Sequence, residues 1–142
     1  MKPSPSAVVR IRPGEEIVAR QGLRYFIGIS ARNSGARNLS LNLVTLPPGA
    51  AATPHLHRGF ETAIYVLRGQ VDTRFGPGLS ESVIADAGDF LFIPADVPHQ
   101  PVNLSVTDPA LAIVARNVAD EQESVVLYDP LQDAPGSVAM RP

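Results

Sequence analysis

Apolar residues occur along this chain in short runs, and prolines and glycines separate one run from the next. The fourteen prolines and eleven glycines are spread through the sequence rather than clustered. No long segment places apolar residues three and four positions apart, which is the spacing of an amphipathic helix. Short apolar runs divided by frequent turns predict an all-β domain.

The apolar runs predict about ten short strands. They cover residues 15–20, 25–30, 39–46, 61–67, 71–75, 82–85, 90–93, 102–106, 110–115 and 125–128. The polar segment 31–38 predicts a loop, and residues 8–11 a short edge strand that could cross to a partner subunit. Strands at this regular spacing predict a two-sheet sandwich or barrel, closest to a flattened jelly roll.

Two of the predicted strands show where burial is needed. The strand 39–46 begins with leucines on one face and Ser40 and Asn42 on the other, which predicts a half-buried strand. The strand 61–67 is apolar on both faces, so both faces need cover. A second sheet or a homodimer interface would supply that cover. Three phenylalanines are predicted to lie in the core: Phe75, Phe90 and Phe92.

The length of 142 residues predicts a single domain. We expect an N-terminal arm over residues 1–13, the barrel over 14–128 and a C-terminal tail over 129–142, because prolines are frequent in both end segments.

Composition narrows the classes of function. A net charge of −2 gives no general attraction to nucleic acid or to an anionic membrane. The absence of cysteine excludes disulfides, thiolate metal sites and cysteine nucleophiles. The sequence has no apolar leader and no run near the ~18 apolar residues that span a bilayer, so a cytoplasmic protein is expected.

The strongest candidates for chemistry are the three histidines, His55, His57 and His99. Residues two apart on a strand point to the same face, so the first two imidazoles would enter one interior. Neutral imidazole is a common ligand of divalent first-row metals. Glu61 could add a carboxylate ligand, or it could lie at the surface or orient a histidine instead.

The segment around the first two histidines resembles the first motif of the cupin superfamily, G-x5-H-x-H-x(3,4)-E-x6-G. It supplies Gly49, His55, His57 and Glu61 at matching positions, and then seven residues before Gly69. The commoner spacing would place the acid one residue later. Because one residue reverses the face of a strand, Glu61 can ligate only if a bend or bulge absorbs the offset.

The segment around the third histidine resembles the second cupin motif, G-x5-P-x-G-x2-H-x3-N. It matches at Gly88, Pro94, His99 and Asn103, with Asp96 where the family has glycine. Aspartate tolerates a left-handed backbone better than most residues, so the turn should survive. The chain is also similar to small single-domain RmlC-like bacterial cupins, through E-T-A-I-Y-V-L-x-G and E-Q-E-S-V-V-L.

The resemblance implies a double-stranded β-helix, usually a homodimer, with one divalent ion held by His55, His57, Glu61 and His99. The ligand types do not choose among iron, manganese, nickel, cobalt, copper and zinc. The family implies a dioxygenase, isomerase or lyase acting on a small molecule. The alternatives are a non-catalytic binder of small ligands and a metal-free epimerase-like cupin. Further pocket residues, or residues beside the ligands, are predicted to be Tyr65, Gln100 and Asn103.

Overall fold

The computed structural model describes residues 7–120 and 124–133, and within them the chain is built almost entirely of strands. The strands are β1 (Ile17–Val18), β2 (Arg24–Ile29), β3 (Ser40–Leu46), β4 (His55–His57), β5 (Thr62–Arg68), β6 (Gln70–Phe75), β7 (Glu81–Asp86), β8 (Phe90–Ile93), β9 (His99–Asn103), β10 (Ala110–Arg116) and β11 (Val125–Leu127). A four-residue helix, α1 (Ala31–Ser34), lies where the sequence predicts a loop, and 3-10 turns cover Pro77–Leu79 and Pro130–Gln132.

The strands form two antiparallel sheets that enclose the interior. The six-stranded sheet has the order β1-β2-β3-β10-β5-β8, and the five-stranded sheet has the order β11-β4-β9-β6-β7. Several neighbours come from distant parts of the sequence, such as β3 with β10 and β4 with β9, as the topology of a double-stranded β-helix requires. The predicted all-β jelly-roll barrel is therefore confirmed.

Turn residues fix where the strands reverse. Gly69 joins β5 to β6 with φ of 84°, a conformation that L side chains rarely adopt. A Cβ at this position would lie 3.0 Å from the Ala110 Cα and from the Pro109 carbonyl oxygen. Glycine is therefore required here both for its backbone conformation and for the close approach of β10.

Strand β3 turns its polar face inward. Ser40 and Asn42 are buried, whereas Leu39 and Leu41 are exposed. The pairing of β2 with β3 is irregular between Ile27 and Ile29, and the Asn42 Oδ1 accepts a hydrogen bond from the Gly28 N–H at 3.3 Å. The alternation predicted for β3 is present. Leu39, Leu41 and Leu43 share the outer face, whereas Asn42 on the inner face satisfies backbone at the irregularity.

The outer face of the six-stranded sheet also carries aromatic rings. Phe90 and Phe92 are 81% and 58% exposed, so the prediction that they belong to the core is wrong. The reason is strand parity, because their neighbours Leu91 and Ile93 face the interior. Phe75 is half-buried.

Several predicted boundaries shift. The ninth strand begins at His99 rather than at residue 102, and residues 8–11 form no strand. Residues 1–6, 121–123 and 134–142 lie outside the described part of the chain, and with them part of the predicted arm and most of the predicted tail. A buried cluster fills one end of the barrel and comprises Ala19, Leu23, Tyr25, Leu46, Ala52, Val71 and Ala110. No helix among the described residues is long and apolar enough to cross a membrane.

Candidate metal centre

Two neighbouring strands bring the three histidines together. His55 and His57 are the ends of the three-residue strand β4, and His99 begins β9. His55 lies directly opposite His99 in the antiparallel ladder. All three side chains point into the barrel and are nearly inaccessible, at 1%, 2% and 3% exposure. The prediction that the two residues of the H-x-H sequence share one interior face with the distant histidine is confirmed.

The three imidazoles form a compact group. The ring centroids of His55 lie 5.1 Å from His57 and 4.3 Å from His99, and the remaining pair is 5.5 Å apart. One ring nitrogen from each lies within 4.8 Å of the others. Nitrogens bound to one ion at about 2.1 Å in a tetrahedral arrangement lie roughly 3.4 Å apart, so ligation would draw together any pair that lies near the 4.8 Å limit.

Hydrogen bonds at the Nδ1 atoms orient two of the rings. The Nδ1 of His55 donates to the Thr53 carbonyl oxygen at 2.7 Å, and that of His99 donates to the Val97 carbonyl oxygen at 2.9 Å. Because a carbonyl only accepts, these contacts place the proton on Nδ1 and leave the Nε2 lone pair available. This arrangement is the usual one around metal-binding histidines.

His57 supplies the third nitrogen. Its Nδ1 lies 3.2 Å from the Ser124 Oγ, and its Nε2 is buried without a hydrogen-bond partner among the described residues. A buried polar atom without a partner is costly, and a metal ion would satisfy it. The donor set of three neutral nitrogens suits a divalent first-row metal. The residues present therefore fit the predicted ion.

Electrostatics keeps the imidazoles neutral. Burial lowers the pKa of His55 from 6.5 to about 3, of His57 to about 2 and of His99 to about 4. The positive charge of Arg116 lowers all three further, and at His57 it is the second largest cause. Neutral imidazole is the form that binds metal, so protons compete weakly with an ion at this site.

Arg116 reaches this region from the end of β10. Its Nε donates to the Thr62 Oγ1 at 3.0 Å, and Thr62 lies opposite it in the ladder. Thr62 is buried at the position where the commoner cupin spacing places the acid. At that position the described structure therefore has a threonine hydroxyl that binds an arginine.

Glu61 lies outside the histidine group. It precedes β5, its side chain is exposed, and its N–H donates to the Asn117 Oδ1 at 2.9 Å. The turn before it is held by two more bonds, from the Arg58 N–H to the Ser124 carbonyl and from the Gly59 N–H to the Asp96 Oδ1. Ligation by Glu61 would require this segment to move, and it stays a prediction.

The three other predicted pocket residues lie apart from the histidine group. Tyr65 is on the outer face of β5, with its ring 4.8 Å from that of Phe90. The Gln100 Nε2 donates to the Ala52 carbonyl oxygen. The buried Asn103 Nδ2 donates to the carbonyls of Leu46, Pro47 and Asp108, so Asn103 fixes the strand connections.

A cavity of about 70 Å³ opens between the sheets beside the histidines. His55, His99 and Arg116 are part of its wall, and most of the remaining lining is aliphatic. The site thus combines a group of nitrogens that could hold a metal with an internal space for a small molecule, which is the usual form of a ligand pocket.

Sequence reasoning missed three contributors to the site. Arg116 follows Ala112 and Val114 at alternating positions of one strand, so extending the predicted strand by one residue would have placed it inside. Ser124 had no spacing signal. Asp96 was expected only to allow the turn, and it does so with φ of 66°, but its carboxylate also binds the Gly59 N–H at 2.8 Å.

Residues 42–116, more than half of the chain, match the family model described as the cupin domain. The chain belongs to the cupin family. This assignment agrees with the fold and with the three histidines. The finer resemblance to RmlC-like cupins stays a prediction.

Solved structures give the same fold. KdgF from Halomonas sp. is 20% identical with a TM-score of 0.61, over 76% of this chain and 89% of that one. The protein TT1209 from Thermus thermophilus is 28% identical with a TM-score of 0.57, over 71% and 90%. Oxalate decarboxylase from Lactobacillus farciminis, solved as a formate complex, is 19% identical with a TM-score of 0.65, over 85% of this cupin and 34% of that chain. No curated protein matches the sequence.

Proposed function

We propose that this cupin is a metal-dependent enzyme that acts on a small molecule inside the barrel, as a dioxygenase, isomerase or lyase. The observation that carries the proposal is the convergence of three buried, neutral imidazoles beside an internal cavity. A bound divalent ion would act as a Lewis acid on substrate oxygens. A cytoplasmic location, with no role for nucleic acid or membrane, remains a prediction from the composition.

The chain's own residues have distinct parts in this proposal. His55, His57 and His99 would hold the ion through their Nε2 atoms, and Thr53, Val97 and Ser124 would fix the ring orientations. The apolar walls of the barrel would exclude bulk water from the substrate.

Glu61 is the further ligand that the family resemblance implies. We propose that it binds only after the turn 58–61 releases its hydrogen bonds. Glu61→Gln should then lower metal affinity at least tenfold. Arg58 is exposed in the same turn, and the control variant Arg58→Gln should bind metal as tightly as the wild type. Equal affinities for the wild type and both variants would show that the three histidines suffice.

Metal content tests the proposal first. Protein purified without a histidine tag should carry close to one equivalent of transition metal, and His57→Ala should lose most of it. Less than about a tenth of an equivalent, with no change of melting temperature in His57→Ala, would contradict the proposal. Oxygen consumption and product analysis with diketones, catechols and thiols would then separate the reaction classes.

A second candidate is a non-catalytic binder in which the metal only holds a ligand. The favouring observation is that the described lining of the cavity contains no carboxylate, and that its hydroxyl groups are limited to those of Tyr25 and Thr73. Tight ligand binding by calorimetry, without turnover across the substrate panel, would support this candidate over the enzyme.

We also propose that the protein is a homodimer joined through the outer face of the six-stranded sheet. One apolar row crosses five paired strands through Phe26, Leu43, Ile113, Tyr65 and Phe90. Phe90 and Phe92 alone contribute roughly 250–300 Å² of exposed apolar surface. Together with the half-buried side chains of the row, they form a contiguous apolar face that would lie at the centre of the ~800 Å² that each partner buries in a standard interface.

Sedimentation at micromolar concentration tests the interface. The wild type should sediment as a dimer of a 15.1 kDa chain, and Phe90→Glu should sediment as a monomer. The control is Val106→Glu, since Val106 is 84% exposed in a loop away from the sheet. A monomeric wild type, or a dimeric Phe90→Glu protein, would contradict this interface.

A further inference from the structure

The cavity beside the histidines has two unlike parts. Its polar residues are His55, His99 and Arg116, with Gln21, Tyr25, Asn42 and Thr73. The rest is mainly aliphatic and includes Val44, Leu46, Ile64, Val66, Leu91 and Val114, which come from four strands of the larger sheet. A ligand that fills this space meets ligating nitrogens and positive charge at one end and hydrocarbon along its body.

Several polar groups of the lining already have hydrogen-bond partners within the fold. Asn42 accepts from the Gly28 N–H, and the Nδ1 atoms of His55 and His99 donate to backbone carbonyls. The Arg116 Nε donates to Thr62, which directs its charge toward the histidines. A ligand hydroxyl placed beside the aliphatic wall would give up its hydrogen bonds to water without replacement, which costs roughly 5–100-fold in affinity.

The size of the cavity limits the ligand. At roughly 10–15 Å³ for one water, a cavity of about 70 Å³ has room for about five waters. Five waters occupy roughly 150 Å³ of liquid, which is enough for a ligand with a short chain of carbons. A long acyl chain or a disaccharide would exceed this space.

We propose that the ligand of this site is a small amphiphile with an anionic, chelating oxygen head and a short aliphatic body. The head would face the histidines and Arg116, and the body would lie against Val66 and its aliphatic neighbours. This inference rests on the proposed metal site. It disfavours sugars and other polyhydroxylated molecules, because the hydroxyls that lie against the aliphatic wall would remain without partners.

A pair of isosteric probes tests the ligand class. 2-Oxopentanoate and 4-hydroxy-2-oxobutanoate have the same head and the same number of non-hydrogen atoms, but a hydroxyl replaces the terminal methyl group. Calorimetry with the cobalt-loaded protein, together with the visible spectrum of the ion, measures binding without any turnover. The aliphatic probe should bind at least fivefold more tightly. Equal affinities, tighter binding of the hydroxylated probe, or no binding of either would overturn the inference.

Matched substitutions locate the effect. Val66→Thr adds a hydroxyl to the wall at nearly constant volume. It should reduce the preference for 2-oxopentanoate over 4-hydroxy-2-oxobutanoate at least threefold. Val83→Thr makes the same change on edge strand β7, away from the cavity lining, and should leave the preference unchanged. An unchanged preference in folded Val66→Thr protein would contradict the proposed position of the ligand body.

A metal-free measurement separates this inference from the metal site. Xenon binds dry apolar cavities, so metal-free wild-type protein should bind it more strongly than Val66→Thr does. Failure of the protein to bind cobalt would contradict the proposed function. Xenon binding by the metal-free protein would still show that the cavity wall is apolar. Cobalt loading without xenon binding would overturn only the aliphatic part of the ligand.

Discussion

Burial of three neutral histidines should make the metal-free protein sensitive to mild acid. The ordinary histidine pKa is 6.5, and the folded values are about 3 for His55, about 2 for His57 and about 4 for His99. The unfolded chain therefore binds more protons than the folded chain below pH 6.5. Stability is fully present above that pH and is lost as the pH falls toward the folded values.

The magnitude follows from linkage. Between pH 7.5 and 5.5 each histidine that stays neutral only in the folded state contributes about 1.4 kcal/mol, so the three together contribute about 4 kcal/mol. A loss of that order is a large share of the 5–15 kcal/mol that stabilises a typical domain. Carboxyl groups ordinarily titrate near pH 4, below this window.

Urea unfolding of chelator-treated protein at the two pH values measures this loss. The midpoint should fall at pH 5.5 while the m-value stays constant. His57→Gln removes one titrating group, so its dependence on pH should be smaller by about a third. Equal midpoints at both pH values, or the same dependence in the variant as in the wild type, would refute the burial of neutral imidazoles.

Three substitutions test the hydrogen bonds and the turn that support the site. Asp96→Ala should destabilise the fold by about 1–3 kcal/mol in urea unfolding, because it loses the hydrogen bond to the Gly59 N–H and because alanine disfavours positive φ. Asp96→Asn should be nearly neutral. Ser124→Ala should weaken metal binding about 10–100-fold in a competition titration, because His57 loses the hydroxyl that orients its ring. Ser124→Thr should retain most of the metal affinity. Gly69→Ala should cost about 2–4 kcal/mol, since it combines positive φ with close contact to β10; an unchanged melting temperature would contradict this account.

The sequence was sufficient to predict the fold and the histidine group. Regular punctuation by proline and glycine predicted short strands, and the two spaced motifs predicted which strands meet. The shared orientation of two histidines was predictable because the side-chain period of a strand is two. His55 and His57 therefore share a face however their strand pairs with others.

The same periodicity left the inner face of other strands undetermined. In β3 the alternation is clear, but its first two inward side chains, Ser40 and Asn42, are polar, and Asn42 satisfies the irregular pairing at Gly28. In β8 both phenylalanines face outward, since an all-apolar run does not reveal which parity is inside. Local pattern thus gives the period of a strand, whereas long-range pairing decides its orientation.

The position of the predicted acid shows the same limit. Sequence spacing allowed Glu61 inside if the turn contained a bulge, and the turn does contain Gly59 with φ of 79°. The side chain is nevertheless exposed, and the inward position belongs to Thr62, which binds Arg116. This contact depends on the pairing of β5 with β10, which the sequence spacing does not encode.

The most direct test of the central claim is a count of imidazole nitrogens on the bound metal. The chain has only three histidines, so every protein imidazole signal from the ion must come from this site. Pulsed electron paramagnetic resonance of copper-loaded, untagged protein should detect imidazole nitrogen coupling that weakens in His55→Ala, His57→Ala and His99→Ala alike. Binding without imidazole coupling, or with coupling unchanged in any of the three variants, would contradict a metal centre built from these histidines.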